Sequence, residues 1–290
     1  MQRALRALCA LGALAAALSS EAASAPLAAS IFAYDAKPPQ ITVMKTLGAG
    51  SSLVSFQGAK GAITAELIRP ASLRPGSAPG VLFVHWLGDK RSDHQEFESD
   101  ARVLATHGIV SLLIDAPWAQ KNWFMSGRTT ANDYADSVSF VTDLRRSLDV
   151  LSASGADPQR MAYVGHDFGA MYGAVLSGVD PRPKYYVLMA GTSSFASWFL
   201  LGPKPADVDT YRRQISVLDP SQYLPDSHAA AFLLQFASKD EYIDADHARQ
   251  FYDAAPMPKL VGFYDTDHSL DVPQAHEDRI RWLIAHLTAH

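Results

Sequence analysis

The sequence predicts an α/β domain in which helices flank a mostly parallel β-sheet. Short, continuous apolar runs such as Gly80–Trp86 alternate with amphipathic segments along most of the chain. Strands that are buried on both faces have such runs, and strands that alternate with helices pair in parallel. The composition agrees, because 48% hydrophobic residues in a chain of 290 supply one sizeable core, and 19% charged residues are too few for a disordered chain.

Two β-rich runs precede the regular alternation. Ile41–Phe56, which is interrupted at Gly48-Ala49-Gly50, and Ala62–Arg69 predict strands, and the segment Pro70–Gly80 predicts a loop. Later strands are predicted at Gly80–Trp86, Ile109–Ile114, Arg160–Val164, Tyr185–Met189, Ala231–Phe236 and Leu260–Tyr264. Helices are predicted at about Asp93–Thr106, Asn132–Ser152, Ala170–Ser177, Asp246–Ala254 and Pro273–Leu287.

Residues 192–228 break this alternation. The segment contains four prolines together with Trp198, Phe199 and Leu200, so it is too apolar for a solvated loop. We expect it to form a small lid over the strand ends, and an excursion packed on the outside is the alternative. Because we find no internal repeat or low-complexity linker, we predict a single domain over residues 26–290.

The first residues follow the order of a secretory signal peptide. Arg3 and Arg6 precede the uncharged, Ala- and Leu-rich stretch Ala7–Leu18, and small residues lead to Ala23-Ser24-Ala25. As a helix this stretch spans about 18 Å, short of a bilayer core of about 30 Å. We therefore expect residues 1–25 to be removed on export, which leaves a secreted or periplasmic protein with no stable membrane span. A buried N-terminal helix is the alternative.

Charge and cysteine content exclude several classes of function. The chain has 25 basic and 30 acidic residues and no basic block, so we expect no nucleic-acid partner. The single cysteine, Cys9, excludes internal disulfides and thiolate metal sites. Asp89, Asp93 and His94 lie near one strand end, but no further ligand motif completes a metal site. We therefore expect no metal, no cofactor and a small-molecule substrate.

The most informative stretch is Met161–Gly173, which reads MAYVGHDFGAMYG. A buried strand runs into Gly165-His166-Asp167-Phe168-Gly169 and then into a helix of small residues. The flanking glycines permit a turn so tight that the central side chain projects alone above the sheet. The pattern predicts Asp167 as a nucleophile.

An acid and a histidine follow later strands. The run FLLQFASKD ends on Asp240, and YDTDHS contains His268. The order nucleophile, acid, base is that of a catalytic triad, so we predict Asp240 as the acid and His268 as the base. Glu241 and Asp244 are rivals of Asp240 in the same loop. Asp115 also follows a strand, and we expect it to fix its own loop.

These motifs resemble the α/β-hydrolase fold over about Val81–Leu287. The run VLFVHWLG at Val81–Gly88 is similar to the strand and loop that supply one oxyanion-hole amide in that family. Overall the chain resembles dienelactone-hydrolase-like members, whereas Asp in the elbow is similar to the elbow of epoxide hydrolases and haloalkane dehalogenases. The resemblance implies Asp167 as the nucleophile and His268 as the base.

An Asp at this position changes the expected reaction. A carboxylate is ionised at neutral pH and attacks an sp³ carbon that carries a leaving group. An epoxide or an alkyl halide would give a covalent ester of Asp167, and His268, oriented by Asp240, would activate water to hydrolyse it. The backbone N–H groups of Leu87 and Phe168 would stabilise the oxyanion. Of the two substrates, we place the epoxide slightly ahead.

Six side chains are predicted to bind substrate: His85, Trp86, His166, Trp198, Tyr211 and Tyr223. Dehalogenases usually have a halide-binding Trp directly after the nucleophile, where this chain has Phe168; Trp86 is the candidate indole donor. Epoxide hydrolases protonate the opening oxygen with lid tyrosines, a role for which Tyr211 and Tyr223 are candidates. A carboxylesterase or lactonase using the same site, and an inactive binding protein of the same fold, are the alternatives.

Overall fold

The computed structural model describes residues 29–48, 50–74, 76–88 and 90–289, and the leader predicted at residues 1–25 lies outside them. Within the described ranges nine strands form one sheet: β1 Thr42–Gly48, β2 Ser51–Gln57, β3 Ala62–Ile68, β4 Ala78–Val84, β5 Val110–Ile114, β6 Ala156–His166, β7 Pro183–Met189, β8 Ala231–Ala237 and β9 Lys259–Tyr264. The helices are α1 Glu98–Thr106, α2 Asp133–Ala153, α3 Phe168–Val179, α4 Phe195–Phe199, α5 Val208–Ser216, α6 Pro220–Tyr223, α7 Ala245–Ala254 and α8 Pro273–Leu287.

The sheet order is β1-β2-β3-β5-β4-β6-β7-β8-β9. The first three strands form an antiparallel meander, and β3 also pairs antiparallel with β5. All other neighbours are parallel. This confirms the predicted α/β class with a mostly parallel sheet. Because parallel strands end at one edge, the loops that follow β4, β6, β8 and β9 meet there.

Helical layers cover the centre of the sheet. α1 contacts α8, and α2 contacts α3, while members of both pairs contact the central strands. Every residue of β4 and of β5 is therefore buried, which explains their continuous apolar runs. Burying each such Val, Leu or Phe side chain contributes about 1.5–3 kcal/mol. At the two edges of the sheet the pattern changes: β1 is exposed along its whole length, and β9 is exposed at three of its six residues.

The segment 192–228 contains three short helices rather than one irregular loop. α4 and α5 begin at Ser194 and Asp207, whose side chains accept the N–H groups of Ser197 and Thr210. α6 begins with Pro220 at its first position. A single π-helical turn at Trp123–Gly127 is a further element that the sequence did not indicate. In the described part of the chain, no helix combines the length and the apolar character that crossing a membrane requires.

Candidate active site

Asp167 sits on a strained turn between β6 and α3. Its backbone has φ 56° and ψ −117°, a conformation that costs a non-glycine residue of order 1–3 kcal/mol and that only the surrounding structure maintains. Close contacts with neighbouring backbone atoms explain why positions 165 and 169 of the motif are glycine. A Cβ on Gly165 would lie 2.3 Å from the carbonyl oxygen of Gly169, and one on Gly169 would lie 2.4 Å from that of Val84. The turn therefore needs glycine at both positions to present Asp167.

The two carboxylate oxygens of Asp167 have different surroundings. Oδ2 accepts the backbone N–H of Leu87 at 3.0 Å. Oδ1 is buried and has no hydrogen-bond partner among the described residues. Burial raises the pKa of Asp167 to about 7, although the charge of His268, the Leu87 N–H and the indole of Trp198 each oppose the rise. The indole of Trp198 lowers the pKa of Asp167 without forming a hydrogen bond to Oδ1. The result is one oxygen anchored by Leu87 and one buried oxygen without a hydrogen-bond partner among the described residues.

Asp240 and His268 form a buried pair at the ends of β8 and β9. Nδ1 of His268 lies 2.8 Å from Oδ2 of Asp240, while Oδ1 of Asp240 accepts the N–H groups of Tyr242 and Ile243. Burial alone would raise the pKa of Asp240, but the hydrogen bond and charge of His268 and these two N–H groups lower it. An ionised Asp240 fixes the proton of His268 on Nδ1, which leaves Nε2 as the basic nitrogen.

One cavity borders both Asp167 and His268. It has a volume of about 470 Å³. Aromatic rings and acidic groups make up most of its wall, which consists of Trp86, Leu87, Gly88, Phe124, Asp167, Trp198, Leu201, Glu241, Tyr242, Asp267, His268 and Ser269. The segment 192–228 contributes Trp198 and Leu201, so its first helix forms part of the wall above the strand ends.

Comparisons with known proteins identify the architecture. The chain matches no family model and no curated protein. Among solved structures it is similar to an acetyl xylan esterase from a Paenibacillus species, with a TM-score of 0.71 and 19% identity over 89% of this chain and 92% of that one. The chain has the α/β-hydrolase fold.

Two further α/β-hydrolase structures support this assignment. Acetyl xylan esterase 1 from a Thermoanaerobacterium species matches with a TM-score of 0.65 and 15% identity, over 87% of this chain and 89% of that one. A protein assigned as a dienelactone hydrolase from Klebsiella pneumoniae matches with a TM-score of 0.60 and 16% identity, over 87% of this chain and 98% of that one. The predicted α/β-hydrolase fold and its dienelactone-hydrolase-like resemblance are thereby confirmed.

The structure places the predicted nucleophile Asp167, acid Asp240 and base His268 after the carboxyl ends of β6, β8 and β9. The two rivals of Asp240 lie elsewhere: Glu241 is exposed at the cavity wall, and Asp244 accepts the N–H of His247 at the start of α7. Asp115 accepts both the backbone N–H and the ring Nδ1–H of His94, so it fixes the loop after β5, as expected.

The catalytic roles themselves stay predictions. Of the predicted oxyanion donors, Leu87 already contacts Asp167, and Phe168 begins α3 directly after it.

Two of the six predicted substrate-binding residues, Trp86 and Trp198, line the cavity. The indole N–H of Trp86 is already engaged, because it donates to the carbonyl of Lys90 at 3.0 Å. His85 is buried away from the cavity, where Nε2 accepts the N–H of Ala116 and Nδ1 lies 2.8 Å from the carbonyl oxygen of Trp86. Burial lowers the pKa of His85, and the neutral ring joins the loops after β4 and β5.

The lid tyrosines also point elsewhere. The hydroxyl of Tyr211 donates to Asp133 at 2.7 Å, and that of Tyr223 donates to the carbonyl of Val217 at 3.2 Å. Both side chains are buried, and neither borders the cavity. The structure therefore does not place either tyrosine beside Asp167. Instead, Tyr242 is the tyrosine in the wall, where its ring lies 5.2 Å from that of His268.

Glu96 is a site residue that the sequence did not indicate. Its Oε2 accepts the backbone N–H of Trp86 at 2.7 Å, and its Oε1 lies 2.6 Å from Nδ1 of His166. The other nitrogen of His166 lies 2.9 Å from the carbonyl oxygen of His268. The ring of His166 also stacks on Trp86, with centroids 5.2 Å apart. Glu96 and His166 thus connect the loop of Leu87 to the loop of His268 from behind the cavity wall.

Proposed function

We propose that this protein is a hydrolase that acts on an sp³ carbon bearing a leaving group, through a covalent alkyl ester of Asp167. The observation that carries the proposal is the asymmetry of Asp167: Oδ2 is held by the N–H of Leu87, and Oδ1 is buried without a partner among the described residues. Desolvation makes such an oxygen a stronger nucleophile, and the held oxygen becomes the ester carbonyl, already in place on its donor.

In the first step Oδ1 donates an electron pair to the substrate carbon, and the bond from that carbon to the leaving group breaks. A halide leaves with the bonding pair, whereas an epoxide oxygen stays attached to the substrate and takes up a proton, for which the phenol of Tyr242 in the wall is the candidate donor. No proton has to leave Asp167 if the residue is ionised. Asp167 is only 1% exposed, which shields its carboxylate from bulk water during this step.

In the second step Nε2 of His268 takes a proton from water, and the water oxygen attacks Cγ of Asp167. The negative charge develops on Oδ2, where the N–H of Leu87 already donates, with Phe168 N–H as the second predicted donor. The bond between Cγ and the alkyl oxygen then breaks, and His268 returns its proton to the alcohol. Asp240 stabilises the charged imidazole in between. Asp167 then loses the proton that it gained with the water oxygen. For a halide the sum is alkyl halide and water giving alcohol, halide and a proton; for an epoxide this proton restores the donor of the first step, and the sum is epoxide and water giving a diol.

Ester hydrolysis is the second candidate, supported by the similarity to solved esterases and by the Asp240–His268 pair, which is suited to activating water. The geometry of Asp167 argues against it. An ester carbonyl needs the donor that Asp167 already occupies at Leu87, and attack by Asp167 on an ester would give a more reactive mixed anhydride. An inactive binding protein is disfavoured because no Lys or Arg in the described ranges pairs with Asp167.

A substrate panel tests this order of preference. An aryl epoxide, a bromoalkane and a short p-nitrophenyl ester would be offered to the wild type and to Asp167→Asn and Asp167→Ser. We expect turnover of the epoxide or the bromoalkane, lost in both variants. Ester turnover that survives Asp167→Asn, or increases in Asp167→Ser, would overturn the alkyl-enzyme proposal in favour of an esterase. No turnover of any compound would favour the binding protein.

We also propose that the mature protein is exported. This rests on the charge, apolar and small-residue order of residues 1–25. N-terminal sequencing of protein recovered from the periplasm or medium would test it. A start near residue 26 is expected, and recovery of uncleaved protein from the cytoplasm alone would contradict it.

A further inference from the structure

We propose that the substrate of this cavity is a cationic organic molecule whose ammonium-type group binds at the cavity mouth between aromatic rings and carboxylates. This inference rests on the proposed function, because it names the substrate class of the same site. It follows from the chemical nature of the wall and not from the identity of the leaving group.

Four aromatic side chains supply most of the apolar wall: Trp86, Phe124, Trp198 and Tyr242. The rings of Trp198 and Tyr242 meet at 71° with centroids 5.9 Å apart, and Tyr242 is 52% exposed, which places it towards solvent. The π face of such rings carries partial negative charge and attracts ammonium groups. A group entering past Tyr242 therefore meets rings that favour a cation.

Apart from His268, which pairs with Asp240, the charged groups of the wall all have the same sign. Asp167 lies at the base, and the carboxylates of Glu241 and Asp267 are exposed at the cavity. The side chain and backbone N–H of Ser269 donate to Asp267 and lower its pKa, so this group is ionised at neutral pH. No Lys or Arg is present among the wall residues that the structure describes.

Two of the nearby cations are paired within the protein. Lys239, in the loop before Glu241, lies 2.8 Å from Asp265. Arg128 is buried behind Phe124, pairs with Asp133 and donates to the carbonyl of Phe199. Neither of these cations belongs to the cavity wall.

A carboxylate substrate would therefore approach three acidic groups with no Lys or Arg among the described wall residues. An ammonium substrate gains both ring faces and carboxylates, with its reactive carbon directed to Asp167 at the base. The contribution of Glu241 and Asp267 decreases with ionic strength, because both are exposed. The cavity thus discriminates by charge before any reaction occurs.

Binding of three unreactive compounds of similar length tests the inference without requiring turnover. Butyltrimethylammonium, 1-pentanol and pentanoate would be titrated into the full mature protein while the fluorescence of the tryptophans is followed, since Trp86 and Trp198 line the cavity. We expect the ammonium ion to bind about fivefold more tightly than the alcohol, and pentanoate to bind most weakly. In the double variant Glu241→Gln/Asp267→Asn the ammonium affinity should fall about threefold or more, and that of pentanoate should rise.

Asp253→Asn is the matched control. Asp253 is an exposed carboxylate on α7 that forms no ion pair among the described residues and does not border the cavity. We expect it to leave ammonium binding unchanged. Pentanoate that binds as tightly as butyltrimethylammonium, ammonium affinity that the double variant does not alter, or no detectable ammonium binding would each overturn the inference. Loss of turnover in the panel above with this binding order intact would instead count against the reaction alone.

Discussion

Nε2 of His166 lies 2.9 Å from the backbone carbonyl oxygen of His268. Because a carbonyl oxygen only accepts, His166 must carry a proton on Nε2. Its Nδ1 lies 2.6 Å from a carboxylate oxygen of Glu96, which holds the other side of the ring. The residue before the proposed nucleophile thus fixes the loop of the proposed base, and Glu96 fixes the orientation of that residue.

Replacing Glu96 tests this connection. Glu96→Ala leaves the N–H of Trp86 without its acceptor and Nδ1 of His166 without its partner, and we expect both the Leu87 amide and His268 to shift. A displacement of about 1 Å costs about 100-fold in rate. Glu96→Gln keeps an oxygen for the Trp86 N–H and offers an amide N–H to His166, so its rates should recover to within about tenfold of wild type. Single-turnover measurement of ester formation and ester hydrolysis separates the effect of a shifted Leu87 amide from the effect of a shifted His268.

A purely structural role for Glu96 predicts a different pattern. Both variants would then lower thermal stability while the correctly folded fraction kept wild-type rates for both steps. Wild-type rates in Glu96→Ala, or equal damage from the Ala and Gln substitutions, would contradict the proposed positioning.

The rate of ester formation should depend on the ionisation of Asp167. Burial raises the pKa of Asp167 to about 7, and only the carboxylate attacks. We therefore expect the rate to increase with pH up to about 7 and to level off above it. The measurement follows halide release or enzyme alkylation by the wild type before the ester is hydrolysed, so that it reports the first step alone and keeps the charge of His268 beside Asp167. A first-step rate that is constant between about pH 5 and pH 9 would contradict this assignment.

The same raised pKa predicts a stability effect with a defined sign. Between its unfolded pKa of 3.8 and its folded pKa of about 7, Asp167 binds more protons in the folded state, so the free energy of unfolding falls as pH rises through this window. Asp167→Asn removes this penalty and should increase the free energy of unfolding above pH 7 by up to about 4 kcal/mol, with little effect near pH 4. Chemical denaturation at several pH values measures it.

Asp240 provides the opposite control, because its pKa is lowered in the folded state. It contributes stability above its unfolded pKa, and this contribution is lost as pH falls through the folded pKa. Asp240→Asn should therefore destabilise the protein at neutral pH. Stabilisation by Asp240→Asn, or destabilisation by Asp167→Asn at pH 8, would show that the electrostatic assignment is wrong.

Two wall residues should distinguish the two leaving groups. The indole of Trp198 stabilises negative charge near Asp167, and the phenol of Tyr242 lies against the ring of His268. We expect Trp198→Phe to slow halide turnover about tenfold or more and Tyr242→Phe to slow epoxide turnover by a similar factor. The kcat/KM of each variant on both substrates is the measurement. Equal losses on both substrates in both variants would exclude these residues as leaving-group donors.

The elements of the fold were predictable because each strand of the central sheet is a continuous apolar run between polar or glycine-rich segments. The position of Asp167 was predictable for a local reason, since Gly165 and Gly169 are both required by backbone atoms within 2.4 Å. Asp240 and His268 could be found because each follows a strand, and parallel strands end at the same edge of the sheet.

The remaining parts of the site depend on side-chain directions that no local pattern encodes. Tyr211 and Tyr223 lie in the predicted lid, but their hydroxyls bond to Asp133 and Val217 within the protein. Glu96 stands in a polar segment whose sequence looks like any exposed helix, and only the fold brings it to His166, 70 residues away along the chain. The sequence indicates Tyr242 only weakly, because its one distinguishing feature is that it follows the predicted acid Asp240 by two positions.

The most direct test of the alkyl-enzyme account is a single turnover in oxygen-18-labelled water with enzyme in excess over substrate. If Asp167 forms the ester and water attacks its Cγ, one labelled oxygen enters the Asp167 carboxylate and the product alcohol remains unlabelled. Mass spectrometry of the peptide that contains Asp167 would then show one heavy oxygen, and Asp167→Asn would give neither label nor product. Label in the product alone, with an unlabelled Asp167, would mean that water attacks the substrate directly, and the central claim would be wrong.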